Sequence, residues 1–153
     1  MTAGWAARLA ELGLELPPVA APLASYVPAV RTGDLVFTSG QLPLVDGRLA
    51  GVGKVGAEVD PQEGYALTRV CVLNALAAVD ALVGIDSVTR VVKVVGFVAS
   101  APGFHGQPGV VNGASELLAE IFGDAGSHAR SAVGVSELPM DTPVEVELVV
   151  EVR

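Results

Sequence analysis

The C-terminal run VEVELVVEV alternates between two chemistries. Val144, Val146, Leu148, Val150 and Val152 fall on one side of an extended strand, and Glu145, Glu147 and Glu151 fall on the other. A period of two with one apolar side predicts a strand lying on a core. Upstream, SVTRVVKVVGFVAS at 87–100 is a longer strand whose apolar residues do not alternate cleanly, which predicts cover on both faces. SYVPAVRTGD and LVFTSGQ read as two strands joined by the turn Thr32-Gly33-Asp34, followed by a second turn in VDGRLAG with its Asp-Gly pair. RSAVGVSEL is another strand, joined to the last one by PMDTP.

The pattern switches to helical spacing three times. Residues 5–12 form a short helix with Trp5, Leu9 and Leu12 in phase and Gly13 as a stop. Residues 61–83 form a long one: Asp60 is a suitable N-cap, Pro61 suits the first helical position, and Glu63 stands where a capping box needs it. Leu67, Val70, Cys71, Ala78 and Ala81 share one of its faces, and Gly84 ends it. Residues 110–123 form the third, with Val111, Leu117, Leu118 and Ile121 inward, while GFHGQPG before it reads as a loop. The order ββ, α, β, α, ββ predicts an α+β fold, a single domain over 1–153, with both main helices on one face of the sheet. Residues 1–23, a helix and a Pro-rich extended stretch, read as an appendage packed on it.

Composition bears on the other sheet face. Of the 153 residues 51 % are hydrophobic but only 5 % aromatic, so Val, Ala and Leu build the core. So much apolar surface leaves two readings, a dense interior or a large interface between subunits. Nine basic residues against seventeen acidic give a net charge of −8, and no basic cluster offers a phosphate backbone a footprint, so nucleic acid is not an expected partner. The start MTAGWAARLAELG lacks a signal-peptide pattern, and no apolar run is expected to span a bilayer. These features predict a cytoplasmic protein with no membrane partner. One cysteine, Cys71, and two histidines cannot make an ordinary zinc site, and Cys71 reads as a buried small hydrophobe.

Several chemical motifs fail on context. GVGKVG at 51–56 spells GxGxxG, but AEVDP separates it from the helix at Pro61, so it reads as a loop rather than a dinucleotide site. GVSEL around Ser136 lacks the second glycine of a nucleophile elbow. Glu145 and Glu147 share a strand face about 7 Å apart, with nothing to mark a sugar site. Arg130 is the pointed feature. It opens the small, apolar run of HARSAVGVSELP, and its guanidinium suits either a structural salt bridge or bidentate capture of a carboxylate. His105 reads as a surface-loop histidine. His128, two residues before Arg130, suits either cleft lining or structural capping.

Motifs in order then narrow the choice. ARSAVGVSELPMDTPVEVELVVEV resembles the C-terminal signature of the RidA (YjgF) family: arginine-serine, a short β stretch, Leu-Pro, then a strand with glutamate near its start. Tyr26-Val27, VFTSGQLPL at 36–44, the helix carrying Asn74, VVKVVGFVAS and VVNGASELLAEIFG resemble the family's other segments, over about residues 24–153. The resemblance implies a chorismate-mutase-like sheet of about six strands, two main helices on one face, and a homotrimer with three sheets in a barrel and clefts between subunits. It implies a cofactor-free hydrolysis of reactive 2-imino acids of the 2-aminoacrylate type to 2-keto acids and ammonia.

Carried over by position, Arg130 grips the substrate carboxylate and Glu145 orients or activates water. Backbone groups at Ser39-Gly40 and Ala132 hold the nitrogen or water, and Tyr26, Asn112 and His128 line the cleft, Tyr26 from a neighbouring subunit. Ala132 stands where many family members carry cysteine. The alternative function is a non-catalytic trimeric protein that binds or senses small carboxylates such as 2-keto acids.

Overall fold

The alternating C-terminal run is a central strand of the sheet. A computed structural model describes residues 4–22 and 24–153. In chain order its elements are α1 (Trp5–Glu11), β1 (Ala29–Thr32), β2 (Leu35–Thr38), β3 (Leu44–Val45), β4 (Arg48–Leu49), α2 (Pro61–Val83), β5 (Val88–Ala99), α3 (Gln107–Phe122), β6 (Ala129–Val135) and β7 (Val144–Val152). Five strands form one sheet in the order β1-β2-β7-β5-β6, and β3 pairs only with β4. All sheet pairs are antiparallel except β5 with β6, which are joined by the α3 crossover. The fold is α+β, with five strands rather than about six in the main sheet. The Asp-Gly turn becomes the separate hairpin β3–β4, with φ of 51° at Asp46 and 78° at Gly47, as a tight primed turn requires.

The valine side of β7 is sealed. Val144, Val146 and Val150 are fully buried, and Leu148 and Val152 nearly so. They meet α2, whose Cys71, Val72, Leu76 and Val79 are also fully buried, while α3 lies over β5 and β6 with Val111, Leu117 and Leu118 fully buried. Each such Val or Leu contributes about 1.5–3 kcal/mol relative to exposure, so this layer is the main source of stability. Of the α2 face read from the sequence, Leu67, Cys71 and Ala78 are buried, whereas Val70 is half-buried and Ala81 exposed. Where α2 and α3 cross, Gly113 permits the close approach: a Cβ there would lie 2.1 Å from the Tyr65 carbonyl oxygen.

The caps of α2 follow the sequence. Asp60 accepts a hydrogen bond from the Glu63 N–H at 2.7 Å, and Gly84, with φ of 81°, ends the helix. By length and composition this 23-residue helix is apolar enough to cross a membrane, contrary to the expectation for the chain. Its buried face is a soluble-type core face, however, with Glu63, Arg69 and Asp80 along its length. α3 begins at Gln107, three residues before the sequence suggests, because Pro108 fits a first turn that needs no N–H donor.

Of the expected appendage, residues 1–3 and 23 lie outside the described residues. α1 docks on the far end of α3: Trp5 donates to the Val88 carbonyl at 2.8 Å and meets Phe122 edge-on at 5.0 Å between ring centroids.

Candidate functional site

Arg130 lies on the helix side of the sheet rim. In parallel register it pairs with buried Val94, and its side chain reaches up to α3. Nη1 donates to Asn112 Oδ1 at 2.8 Å and to Ser115 Oγ at 3.2 Å, and Nη2 lies 3.4 Å from the Pro108 carbonyl. All three partners are neutral. Among the described residues no carboxylate lies within ion-pair distance of Arg130, and its Nε has no hydrogen-bond partner. The structural salt bridge that the sequence left open is therefore absent from these contacts. What remains is a cation tethered mainly through Nη1 and weakly through one Nη2 proton, with Nε and the other Nη2 proton open.

His128 completes this cluster. Its Nδ1 is 2.6 Å from the Gly126 carbonyl and its Nε2 is 2.9 Å from Ser115 Oγ. Nε2 thus ties the start of β6 to α3, and Nδ1 ties it to the 3-10 turn over 123–126. Ala132, next on the same side of the strand, packs against the hydrophobic core. His105 is exposed in its loop.

Glu145 belongs to the opposite face. It pairs with Phe97 across β5, and it is half-buried without a hydrogen bond or ion pair among the described residues. Burial, and secondarily the Glu147 carboxylate on the same face, push its carboxyl above the usual carboxylate range. Gly40 is pressed onto it: a Cβ at Gly40 would lie 2.8 Å from Glu145 Cδ. β2 stops at Thr38, and Gln41 then rejoins the sheet by reciprocal backbone bonds with Val146, so Ser39-Gly40 bulges beside the glutamate. Ser39 uses its N–H on the Pro28 carbonyl and its hydroxyl on the Val27 carbonyl, fixing the approach to β1. Tyr26, 45 % exposed, shares a shallow depression with Pro28, Gly40 and Gln41.

The candidate residues therefore form two groups within one chain. Arg130, Asn112 and His128 gather at the β6–α3 rim. Glu145, Gly40, Ser39 and Tyr26 gather at the β2–β7 edge of the open face. From the shared β5 register, Arg130 and Glu145 are two strands and three residues apart, roughly 14 Å between Cα atoms, with side chains on opposite faces. Ser115 was not singled out from the sequence. It stands one helical turn after Asn112, and that spacing is the signal that could have found it.

Other features lie apart from both groups. A groove of about 600 Å³ runs between residues 15–21, the β3–β4 hairpin and α2, and holds none of these side chains. The GVGKVG segment is a loop ending before α2, with Val55 bridged to Val59 and Ser100. Asn74, buried in α2, donates to the Leu42 and Leu44 carbonyls and so anchors the chain that follows Gly40. Among the described residues no group of three or more His, Cys, Asp or Glu gathers to hold a metal.

Known proteins resemble this chain over most or nearly all of its length. A family model described as "YjgF/chorismate_mutase-like, putative endoribonuclease" matches residues 6–152. "Protein TCP17" of Trypanosoma cruzi is 44 % identical over 150 residues, spanning 97 % of this chain and 94 % of that one. The crystal structure of Atu1372 from Agrobacterium tumefaciens, a protein of unknown function, superposes with a TM-score of 0.90 at 42 % identity, covering 97 % of this chain and 92 % of that one. The Escherichia coli (strain K12) protein named "Putative reactive intermediate deaminase TdcF" is 28 % identical over 129 residues, 83 % of this chain and 86 % of its own. A crystal structure of E. coli TdcF with bound serine superposes at a TM-score of 0.66 and 26 % identity, covering 88 % of this chain and 93 % of that one. With the sheet order, the Arg130–Asn112 pair and the Gly40–Glu145 contact already described, these matches make the chain a member of the YjgF/RidA family.

Proposed function

We propose that this protein hydrolyses small, reactive 2-imino acids to 2-keto acids and ammonia, using sites formed between subunits of a homotrimer. The observation that carries this reading is Arg130: a half-buried guanidinium held by neutral partners, with no carboxylate among the described residues to neutralise it. Such a cation matches a substrate carboxylate. Relatives give the reading its direction, one named a reactive intermediate deaminase and one solved with an amino acid bound.

The chemistry asks for little more. The C=N carbon of a 2-imino acid is electrophilic, the more so when protonated. Water adds to that carbon, giving a carbinolamine. The C–N bond then breaks, the nitrogen leaves with a proton as ammonia, and the hydroxyl becomes the keto carbonyl. Glu145, whose carboxyl burial raises above the usual carboxylate range, takes a proton from the water and returns it to the departing nitrogen. Arg130 fixes the carboxylate and supplies binding, and most of the rate gain comes from placing water against the C=N carbon. No redox step or cofactor enters this balance.

Subunit association supplies what one chain lacks. The open sheet face exposes Phe37 and Val133 with the half-buried Val95, Phe97 and Val149 around the glutamates, and β1 and β6 are unpaired edges of the sheet within one chain. Closing three sheets into a barrel covers that face and brings the Glu145 group of one subunit toward the Arg130 group of the next. The test is ammonia release from 2-aminoacrylate generated enzymatically in the assay. Wild type accelerates it, and Arg130→Ala does not while retaining its oligomeric state. Equal rates for both proteins contradict the reading. Arg130-dependent binding of 2-keto acids without turnover would instead favour a carboxylate-binding protein.

A further inference from the structure

The open edge of Arg130 depends on how its other end is held. Four polar groups line up at the β6–α3 rim, and with a neutral imidazole their hydrogen-bonding capacities admit one assignment. The Gly126 carbonyl only accepts, so His128 Nδ1, 2.6 Å away, carries the proton. In the neutral ring Nε2 is then an acceptor, and it faces the Ser115 hydroxyl at 2.9 Å. Ser115 donates there and turns a lone pair to Arg130 Nη1 at 3.2 Å, while Asn112 Oδ1 accepts the second Nη1 proton at 2.8 Å. Each group in the series has one role, and the series begins on a backbone carbonyl at the end of a 3-10 turn over 123–126.

We infer that His128 and Ser115 are positioning residues: a neutral, Nδ1-protonated His128 fixes the Ser115 hydroxyl, which with Asn112 pins Nη1 and presents the Nε–Nη2 edge of Arg130 to one substrate carboxylate. This rests on the deaminase reading above and specifies how its anchor is built. A guanidinium pinned through Nη1 loses less rotamer freedom when it binds. The carboxylate does not change during the reaction, so the anchor acts equally on bound substrate and transition state. Loss of the relay therefore weakens binding and leaves the chemical step alone. Lysine cannot take the place of Arg130, because a single ammonium cannot be held by Ser115 and Asn112 while offering a two-point fork.

Ser115→Thr and Ser115→Val have nearly the same shape and differ in the hydroxyl. The probes are the ammonia assay and the dissociation constant of pyruvate, the keto acid formed from 2-aminoacrylate. Ser115→Val is expected to raise KM and the pyruvate constant about fivefold to tenfold, with kcat within about twofold, whereas Ser115→Thr stays within about twofold on all three. Nitrogen NMR of the ligand-free wild type is expected to show His128 as the Nδ1–H tautomer. Equal behaviour of the Val and Thr variants in a working enzyme, a loss confined to kcat, or an Nε2–H tautomer overturns the relay and spares the deaminase reading. A wild type that neither releases ammonia nor binds pyruvate overturns that reading and the anchoring role with it.

Discussion

The two ends of the candidate site are built on opposite principles. Arg130 keeps its charge among neutral hydrogen-bond acceptors, all fixed to α3 of its own chain. Among the described residues Glu145 has no hydrogen-bonding partner, and it sits among apolar and like-charged neighbours on the open face, with Gly40 against its carboxyl. A cation held by dipoles keeps a full charge and awaits an anion. A carboxyl starved of solvation holds its proton more tightly than a solvated one. On the proposed reading, binding and proton transfer need different environments, and the sheet places the two groups on opposite faces.

The comparison is broken most severely at the cationic end. Arg130→Ala is expected to lower kcat/KM about a thousandfold with normal circular dichroism, since a charge-assisted anchor is removed. Glu145→Gln is expected to cost about a hundredfold, mostly in kcat, because the carboxyl acts on the water rather than on ground-state binding.

The same substitution gives a pH test. The folded state raises the Glu145 pKa, so between the unfolded and folded values the folded protein binds more protons than the unfolded one. That ionisation costs stability as pH rises through the window and costs nothing below it. Glu145→Gln should therefore melt above wild type at pH 7–8, with the difference closing in acid. A difference that grows in acid contradicts the assigned cause.

Smaller changes sharpen the contrast. Gly40→Ala places a methyl where the Glu145 carboxyl lies, so kcat is expected to fall about tenfold through displacement of that group. Binding of pyruvate at the Arg130 end should be unchanged. Gly113→Ala touches neither end but drives a methyl into the Tyr65 carbonyl. It is expected to cost about 1–3 kcal/mol and several degrees of Tm, with activity per folded molecule intact.

Much of this was legible in the sequence. The alternation of β7 gave both its faces, and Asp60, Pro61 and Gly84 gave the ends of α2, because those signals are local and repeat over many residues. The start of α3 was not, since Gln107-Pro108-Gly109 has loop composition and only the first-turn tolerance for proline lets it be helical. The β3–β4 hairpin, with two-residue strands, is too short for any period to register. Arg130, Glu145, Gly40 and Asn112 were legible as candidates through ordered motifs. Their division into two groups was not, because it depends on β5 standing between β6 and β7, a contact order no local pattern encodes. Ser115 became visible only when the fold set α3 over the start of β6.

The central claim is that Arg130 and Glu145 act together across a subunit boundary. Arg130→Ala and Glu145→Gln proteins, each expected to keep about 1 % of wild-type activity or less alone, can be unfolded together and refolded as mixed assemblies. If every site takes its arginine and its glutamate from different subunits, random mixing restores about a quarter of wild-type ammonia release. Mixed assemblies as inactive as their parents, with subunit exchange verified by mass, would contradict the account.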